Sequence, residues 1–388
     1  MKKPLLVVII ILVVLLALPV VNLLRWTFQT KKPLDIVIVD KTVPTLEREK
    51  HKSLNWILTN ERFVKKLKKT SYSFTRDYWG FKPLRPAKTK KWDKGDYRLE
   101  QVLDTLNNCK AIYFTDTYGV FFNDWYEGIN RSRRSRILFG GMNNNDNALI
   151  GLMQDSNKLV ITEYNAFDYP TNEYFAFRTQ EKLGINWSKW TGKYFSTLDT
   201  LIDKDFPIWM TAMYRKQYRK PWTFKKPGVV LVRDRYIIVL EEGTHLKNPI
   251  PFIVSDSAYV AKWNIAESVS FFHWFDIIDP VETNVISRFN LDTTPVGDSV
   301  LSEYGISNKF PAAIQSTANL NTYYFSGDFT STNIPVWTAR FKGVDKLLKS
   351  VLYSDKPEDD RRFFWLYYKP LVSGIFNDYY NSLQKQNK

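Results

Sequence analysis

The chain has 388 residues, 55 Lys+Arg against 40 Asp+Glu, and a single cysteine. Its 13 Trp, 22 Tyr and 26 Phe supply the apolar surface of a packed core and exclude a disordered chain, which is poor in aromatics. Cys109, standing alone, excludes an intramolecular disulfide framework, a cysteine zinc site and an iron–sulfur cluster.

The net charge of +15 is unevenly placed. Residues 1–100 hold 22 Lys+Arg and 9 Asp+Glu, so the rest of the chain is close to neutral. No zinc-finger spacing or RNP-type motif accompanies the basic region, and nucleic acid is not expected as a partner. An anionic lipid surface fits better, at about 1 kcal/mol per cation held near the headgroups.

In chain order, the first element is the uncharged run at 5–24, LLVVIIILVVLLALPVVNLL. At about 1.5 Å rise per residue it matches a hydrocarbon core of about 30 Å. It is too long for a signal-peptide core, and no A-x-A follows it. The expectation is an uncleaved single-pass signal-anchor over residues 1–25, in the cytoplasmic (inner) membrane, with the body on the extracytoplasmic side. Residues 26–95 are then a basic membrane-proximal segment that includes the first strand and helix. The RSRRSR run at 131–136 and the lysine-rich 62–94 segment are read as solvated faces able to meet anionic lipid or polymer.

Short β-branched runs follow: DIVIVD at 35–40, KAIYFTD at 110–116, RILFGG at 136–141, KLVITE at 158–163 and PGVVLVRD at 227–234. They have the texture of strands buried on both faces. Helical stripes lie between them, at Leu46, Leu54, Ile57 and Leu58, at Leu99, Val102, Leu103 and Leu106, and from Ala148 to Leu152. This alternation predicts an α/β fold over residues 33–240, an open, mostly parallel sheet flanked by helices. Residues 241–388 read as a β-rich extension closed by a terminal helix, with Pro370 inside its aromatic pattern.

In open parallel sheets ligands bind beyond the carboxyl ends of the strands, so the strand-end residues are the candidates. Asp40, Asp116 and Glu163 end three of the runs, and Gly140 and Gly141 end another. Tyr118, Asn165 and Asp168 follow closely. Such an acidic crevice could bind sugar hydroxyls or, in an enzyme, provide acid and base from Asp116, Glu163 and Asp168 with His245. Trp274 in FFHWF and Asp328 in YYFSGDF pair an aromatic face with a planar polar group, the combination that saccharides need. No metal site and no cofactor are expected, although carboxylates alone leave room for calcium or magnesium. Dinucleotide, P-loop, zincin and α/β-hydrolase motifs are absent.

The stretch RILFGGMNNNDNALIGLMQDSNKLVITEYNAFDYPT resembles in shape the central part of the class I glutamine amidotransferase-like α/β fold, over roughly residues 110–200. The resemblance implies a glycine pair after one strand and a nucleophile elbow after the next. Tyr164, Asn165 and Ala166 stand where that family has its cysteine, and Cys109 precedes a strand, so the resemblance implies a degenerate, non-catalytic domain. The functional expectation is a membrane-anchored binding protein for a cell-envelope glycan or an envelope-assembly partner. Two rival readings are a carboxylate-dependent hydrolase of envelope polysaccharide and a structural subunit of a membrane complex.

Overall fold

The computed structural model describes residues 17–85, 89–127, 135–204, 206–343 and 349–386. The chain runs through a helix, α1 (17–28), then β1 (Lys32–Pro33), β2 (Ile36–Asp40), α2 (Glu49–Asn60), β3 (Phe63–Val64) and the hairpin β4 (Trp79–Arg85) and β5 (Lys91–Gly95). Next come α3 (Leu99–Asn108), β6 (Ala111–Asp116), β7 (Val120–Phe121), α4 (Phe122–Tyr126), β8 (Ile137–Phe139), α5 (Asn144–Asp155) and β9 (Leu159–Glu163). They are followed by α6 (Glu173–Leu183), β10 (Ile185–Phe195), α7 (Ile208–Tyr218), β11 (Gly228–Arg233) and β12 (Tyr236–Glu241). The last part holds β13 (Leu246–Ser255), α8 (Ser257–Trp263), β14 (Ser268–Ser270), β15 (Trp274–Pro280), β16 (Thr283–Thr293), α9 (Pro295–Glu303), β17 (Lys309–Ser316), β18 (Thr322–Phe325) and α10 (Lys369–Gln386).

Ten strands form one sheet in the order β14-β13-β16-β17-β18-β9-β6-β2-β4-β5. The central five, β18 to β4, are mutually parallel, while every pairing outside them is antiparallel. Both faces of the centre are covered, which is why its strands read as unbroken apolar runs. Along β6, Ala111 and Tyr113 enter the core on one face with α2 and α10, while Ile112 and Phe114 enter the core on the other with α3 and α5. The helices between the strands start on local signals. Asn143 caps α5 with Asp146 in a capping box, and Asn172 caps α6.

Four expectations are corrected. Among the described residues no helix is long and apolar enough to cross a membrane, so the transmembrane helix, and with it the single-pass signal-anchor reading, is not supported. The expected run at 5–24 lies outside the described residues as far as residue 16. Its described remainder belongs to α1, which ends docked on the body: Trp26 Nε1 donates to Thr59 O at 2.9 Å, and the Arg62 guanidinium lies 4.2 Å from the Trp26 ring. Among the described residues the RILFGG strand, β8, pairs only with β7, antiparallel, in a separate two-stranded sheet. PGVVLVRD, β11, belongs to a second, antiparallel sheet in the order β12-β11-β10-β15. The large sheet is therefore mixed instead of mostly parallel, because β13, β14, β16, β17 and β18 of the extension join it. Residues 131–134 of the RSRRSR run lie outside the described residues.

The C-terminal helix has its proline where expected, with a local adjustment. Residues Phe364–Tyr368 form a π-helical turn just before α10. Pro370 has no N–H to give to the Leu366 carbonyl four residues back. That carbonyl instead accepts from Ala266 N at 2.8 Å. Phe363, Phe364, Trp365, Tyr367 and Tyr368 are all buried, so this segment is apolar all round and belongs to the core.

Candidate functional site

Parallel pairing of β18, β9, β6 and β2 brings their carboxyl ends to one edge of the sheet. There the structure gathers Asp40, Asp116, Glu163 and Asp328, all within 3% of fully buried. Each carboxylate has internal partners.

Lys50, in the first turn of α2, holds the middle of the cluster. Its ammonium pairs with Asp328, lies 3.5 Å from Asp116 and donates to Ser331 Oγ at 2.7 Å. Burial pushes the Asp116 carboxyl up to about 6, against the pull of Lys50, with Asp328 and Asp40 pushing the same way as burial. Asp328 is held below its ordinary value by Lys50 and His273, which outweigh its burial. Asp116 Oδ1 also accepts from Thr42 Oγ1 at 2.7 Å and Tyr118 N at 2.8 Å. Asp40 pairs with His51 Nδ1 at 2.5 Å, and the other ring nitrogen of His51 meets Phe74 O at 2.7 Å.

Glu163 is a clasp between β9 and the turn after β18. Its Oε2 accepts from Phe329 N and Thr330 N, both at 3.0 Å, and from Thr330 Oγ1 at 3.1 Å. Tyr113 donates to Oε1 at 2.5 Å. Burial pushes the carboxyl up to about 8 against these donors. A neighbouring buried ion pair, Lys41 to Asp146 at 2.5 Å, ties the end of β2 to the start of α5, and Lys41 also donates to Gly141 O at 2.8 Å.

Three loops form the wall beside these groups. Gly141 N donates to Thr117 O at 2.7 Å, Thr117 Oγ1 to Asn165 O at 2.7 Å, and Met142 N to Thr171 Oγ1 at 2.9 Å. Gly141 has φ +78°, and a Cβ there would sit 2.8 Å from Pro170 O, so glycine is required for this closure. A Cβ on Gly140 would meet Tyr118 O at 2.5 Å. Asn165 sits on the turn after β9 in the left-handed region, φ 70°. Its backbone N–H is bound by the buried Asp276 carboxylate, which also accepts from Thr191 Oγ1 at 3.0 Å and Tyr324 OH at 2.9 Å.

The solvent side of this edge is aromatic. Tyr118 is 39% exposed and Tyr169 58%, with Phe121 between them at ring separations of 4.8 and 6.0 Å. Asp168, exposed on the same loop as Tyr169, accepts from Tyr169 N at 2.7 Å.

Asp40, Asp116, Glu163, Asp328, Gly140, Gly141, Tyr118, Asn165 and Asp168 are thus at or beside one edge, with the first four closed off from solvent. Trp274 touches it through its backbone, its carbonyl accepting from Asp328 N at 2.9 Å, while its ring lies 5.6 Å from Lys193 Nζ. His245 stands apart from these contacts. It sits in the turn between β12 and β13, where Nδ1 accepts from Glu241 N at 3.1 Å and its carbonyl accepts from Thr294 N at the start of α9. Burial lowers its pKa. Sequence reasoning missed Lys50, His51, Thr42 and Asp276, whose partners lie up to 281 residues away. The buried Cys109, its thiol pushed up to about 11 by burial, is unsuited to nucleophilic chemistry.

Among the described residues no group of three or more His, Cys, Asp or Glu side chains is arranged to hold a metal ion. Lys50 fills the position between Asp116 and Asp328 that a cation would take.

No protein-family model and no curated protein matches the chain. Among solved structures, a ThuA-like protein from Bacteroides uniformis is similar over 86% of this chain and 97% of its own, at 9% identity and a TM-score of 0.36.

Proposed function

We propose that this chain is a non-catalytic glycan-binding protein whose saccharide sits on the carboxyl edge of the parallel strands, a cell-envelope glycan being the class that the sequence favours. The observation that carries this reading is the division of labour at that edge. Every buried carboxylate at this edge is consumed by a lysine, a histidine, hydroxyls or backbone N–H groups, while the layer above presents the exposed Tyr118, Tyr169 and Asp168 beside the half-buried Asn165. Tyrosine faces stack on sugar rings, and amide and carboxylate groups take hydroxyls.

The hydrolase reading draws less support. A general acid and base must be within reach of a substrate, and Asp116 and Glu163 are both within 2% of fully buried. The amidotransferase-like ancestry is part of the proposal. Its support is the left-handed turn after β9, with Asn165 at the place of a nucleophile. The test is binding of neutral β-linked hexasaccharides by isothermal titration, with reducing-end release followed in parallel. Tyr118→Ala and Tyr169→Ala should each weaken binding about five- to tenfold, the loss of roughly 1 kcal/mol of ring stacking. Sugar release that survives in wild-type protein and disappears in Asp116→Asn would overturn the non-catalytic reading.

A further inference from the structure

We propose a second binding site, at the opposite edge of the same sheet, for a neutral hydroxyl-rich ligand of about disaccharide size. It does not rest on what the carboxyl edge binds. A groove of about 460 Å³ opens there between the loop after α5, the turn joining β17 to β18 and the last turns of α10. That volume lies within the roughly 300–1,000 Å³ of small-molecule sites. A smaller hollow of about 170 Å³ continues it, sharing Leu320, Asn321, Tyr379 and Ser382.

The chemistry of the lining selects the ligand. Among the described residues no charged side chain lines the main groove, and the Lys262 and Asp378 side chains of the adjoining hollow are paired with each other at 3.0 Å. An ionic ligand would lose its hydration with no counter-charge to replace it. Amides dominate the polar lining. Asn321 Nδ2 donates to Asn157 Oδ1 at 2.9 Å and to Asn157 O at 3.0 Å, and Asn319 Nδ2 donates to Gln154 O at 2.8 Å. These bonds orient the two facing amides and leave Asn157 Nδ2 and Asn321 Oδ1 without protein partners among the described residues. A donor and an acceptor held side by side match two neighbouring hydroxyls of a sugar.

Tyr379, which also lines the groove, is 4% exposed, and its hydroxyl is enclosed within the protein. Leu320, 58% exposed, offers an apolar face beside it.

The experiment titrates the full chain with cellobiose, maltose and chitobiose, and maps protection by hydrogen exchange. Saturable binding of at least one disaccharide is expected, with slowed exchange around Asn157 and over 317–321. Leu320→Arg, a surface change that fills the groove, should weaken binding at least about tenfold while leaving the circular dichroism spectrum unchanged; Tyr118→Ala at the far edge should leave it unaltered. The proposal fails if none of the three sugars binds at roughly 20 mM. It fails equally if Leu320→Arg binds like wild type, or if protection is confined to the carboxyl edge.

Discussion

Removing the Glu163 side chain should be among the most damaging single changes in this protein, and the structure says by how much. Glu163→Ala strands four buried donors: Tyr113 OH, Phe329 N, Thr330 N and Thr330 Oγ1. The hydroxyls can turn elsewhere, Tyr113 toward Tyr368 OH at 3.1 Å, but the two backbone N–H groups cannot. At about 1–3 kcal/mol for each buried donor left unsatisfied they cost about 2–6 kcal/mol, and the emptied volume adds to that. A loss of about 4 kcal/mol is expected. Glu163→Gln keeps the acceptor oxygen facing the turn and places an amide against Tyr113, whose hydroxyl can accept; it should cost about 1 kcal/mol or less. Urea unfolding of both variants at constant m-value measures the difference. An alanine variant losing under about 1.5 kcal/mol, or a glutamine variant as unstable as the alanine one, would refute the view that Glu163 is a structural clasp.

The remaining predictions test other parts of the same edge. Lys50→Met leaves Asp116 and Asp328 facing each other without their cation, and should cost about 3 kcal/mol and raise the Asp116 pKa further, measurable by unfolding at two pH values. Asp116, Asp276 and Glu163 are raised by burial to about 6, 7 and 8. A carboxyl raised in this way contributes stability below its unfolded pKa and loses it as pH climbs through the folded one. Asp328, lowered, loses its contribution only in acid. Unfolding free energy should therefore fall from roughly pH 4 to 8, and Glu163→Gln should flatten the upper part of that fall; a curve that rises over this range contradicts the assignment. Gly141→Ala places a Cβ against Pro170 O at a left-handed residue and should cost about 2–4 kcal/mol by thermal or urea unfolding.

What was legible in the sequence follows physical lines. β2, β6 and β9 were recognisable because strands buried on both faces must be continuously apolar, and their terminal carboxylates fall together at one edge of the sheet. β8 and β11 have the same local texture but antiparallel partners, and β-branched composition reports burial without reporting direction. The place of β18 beside β9 could not be read, since 158 residues separate Glu163 from Thr322 and no pattern encodes that pairing. Asp328, singled out from its aromatic setting, lies at that edge as a buried partner of Lys50. Lys50 and His51 were hidden in an ordinary charged helix, because a buried pairing is decided by tertiary packing. His245 lies apart from that edge, in the turn between β12 and β13. The apolar run at 5–24 suggested a membrane span from composition alone, and no described helix meets the requirement.

The central claim is that the carboxyl edge binds a saccharide through its exposed rim and breaks no bond. Hydrogen exchange of the full chain with and without a neutral β-linked hexasaccharide tests it most directly. Slowed exchange over 116–122 and 164–171, abolished in the Tyr118→Ala, Tyr169→Ala double variant and retained in Glu163→Gln, is the predicted result. Unchanged exchange in both segments at saturating sugar, or protection that survives the double variant, would contradict it.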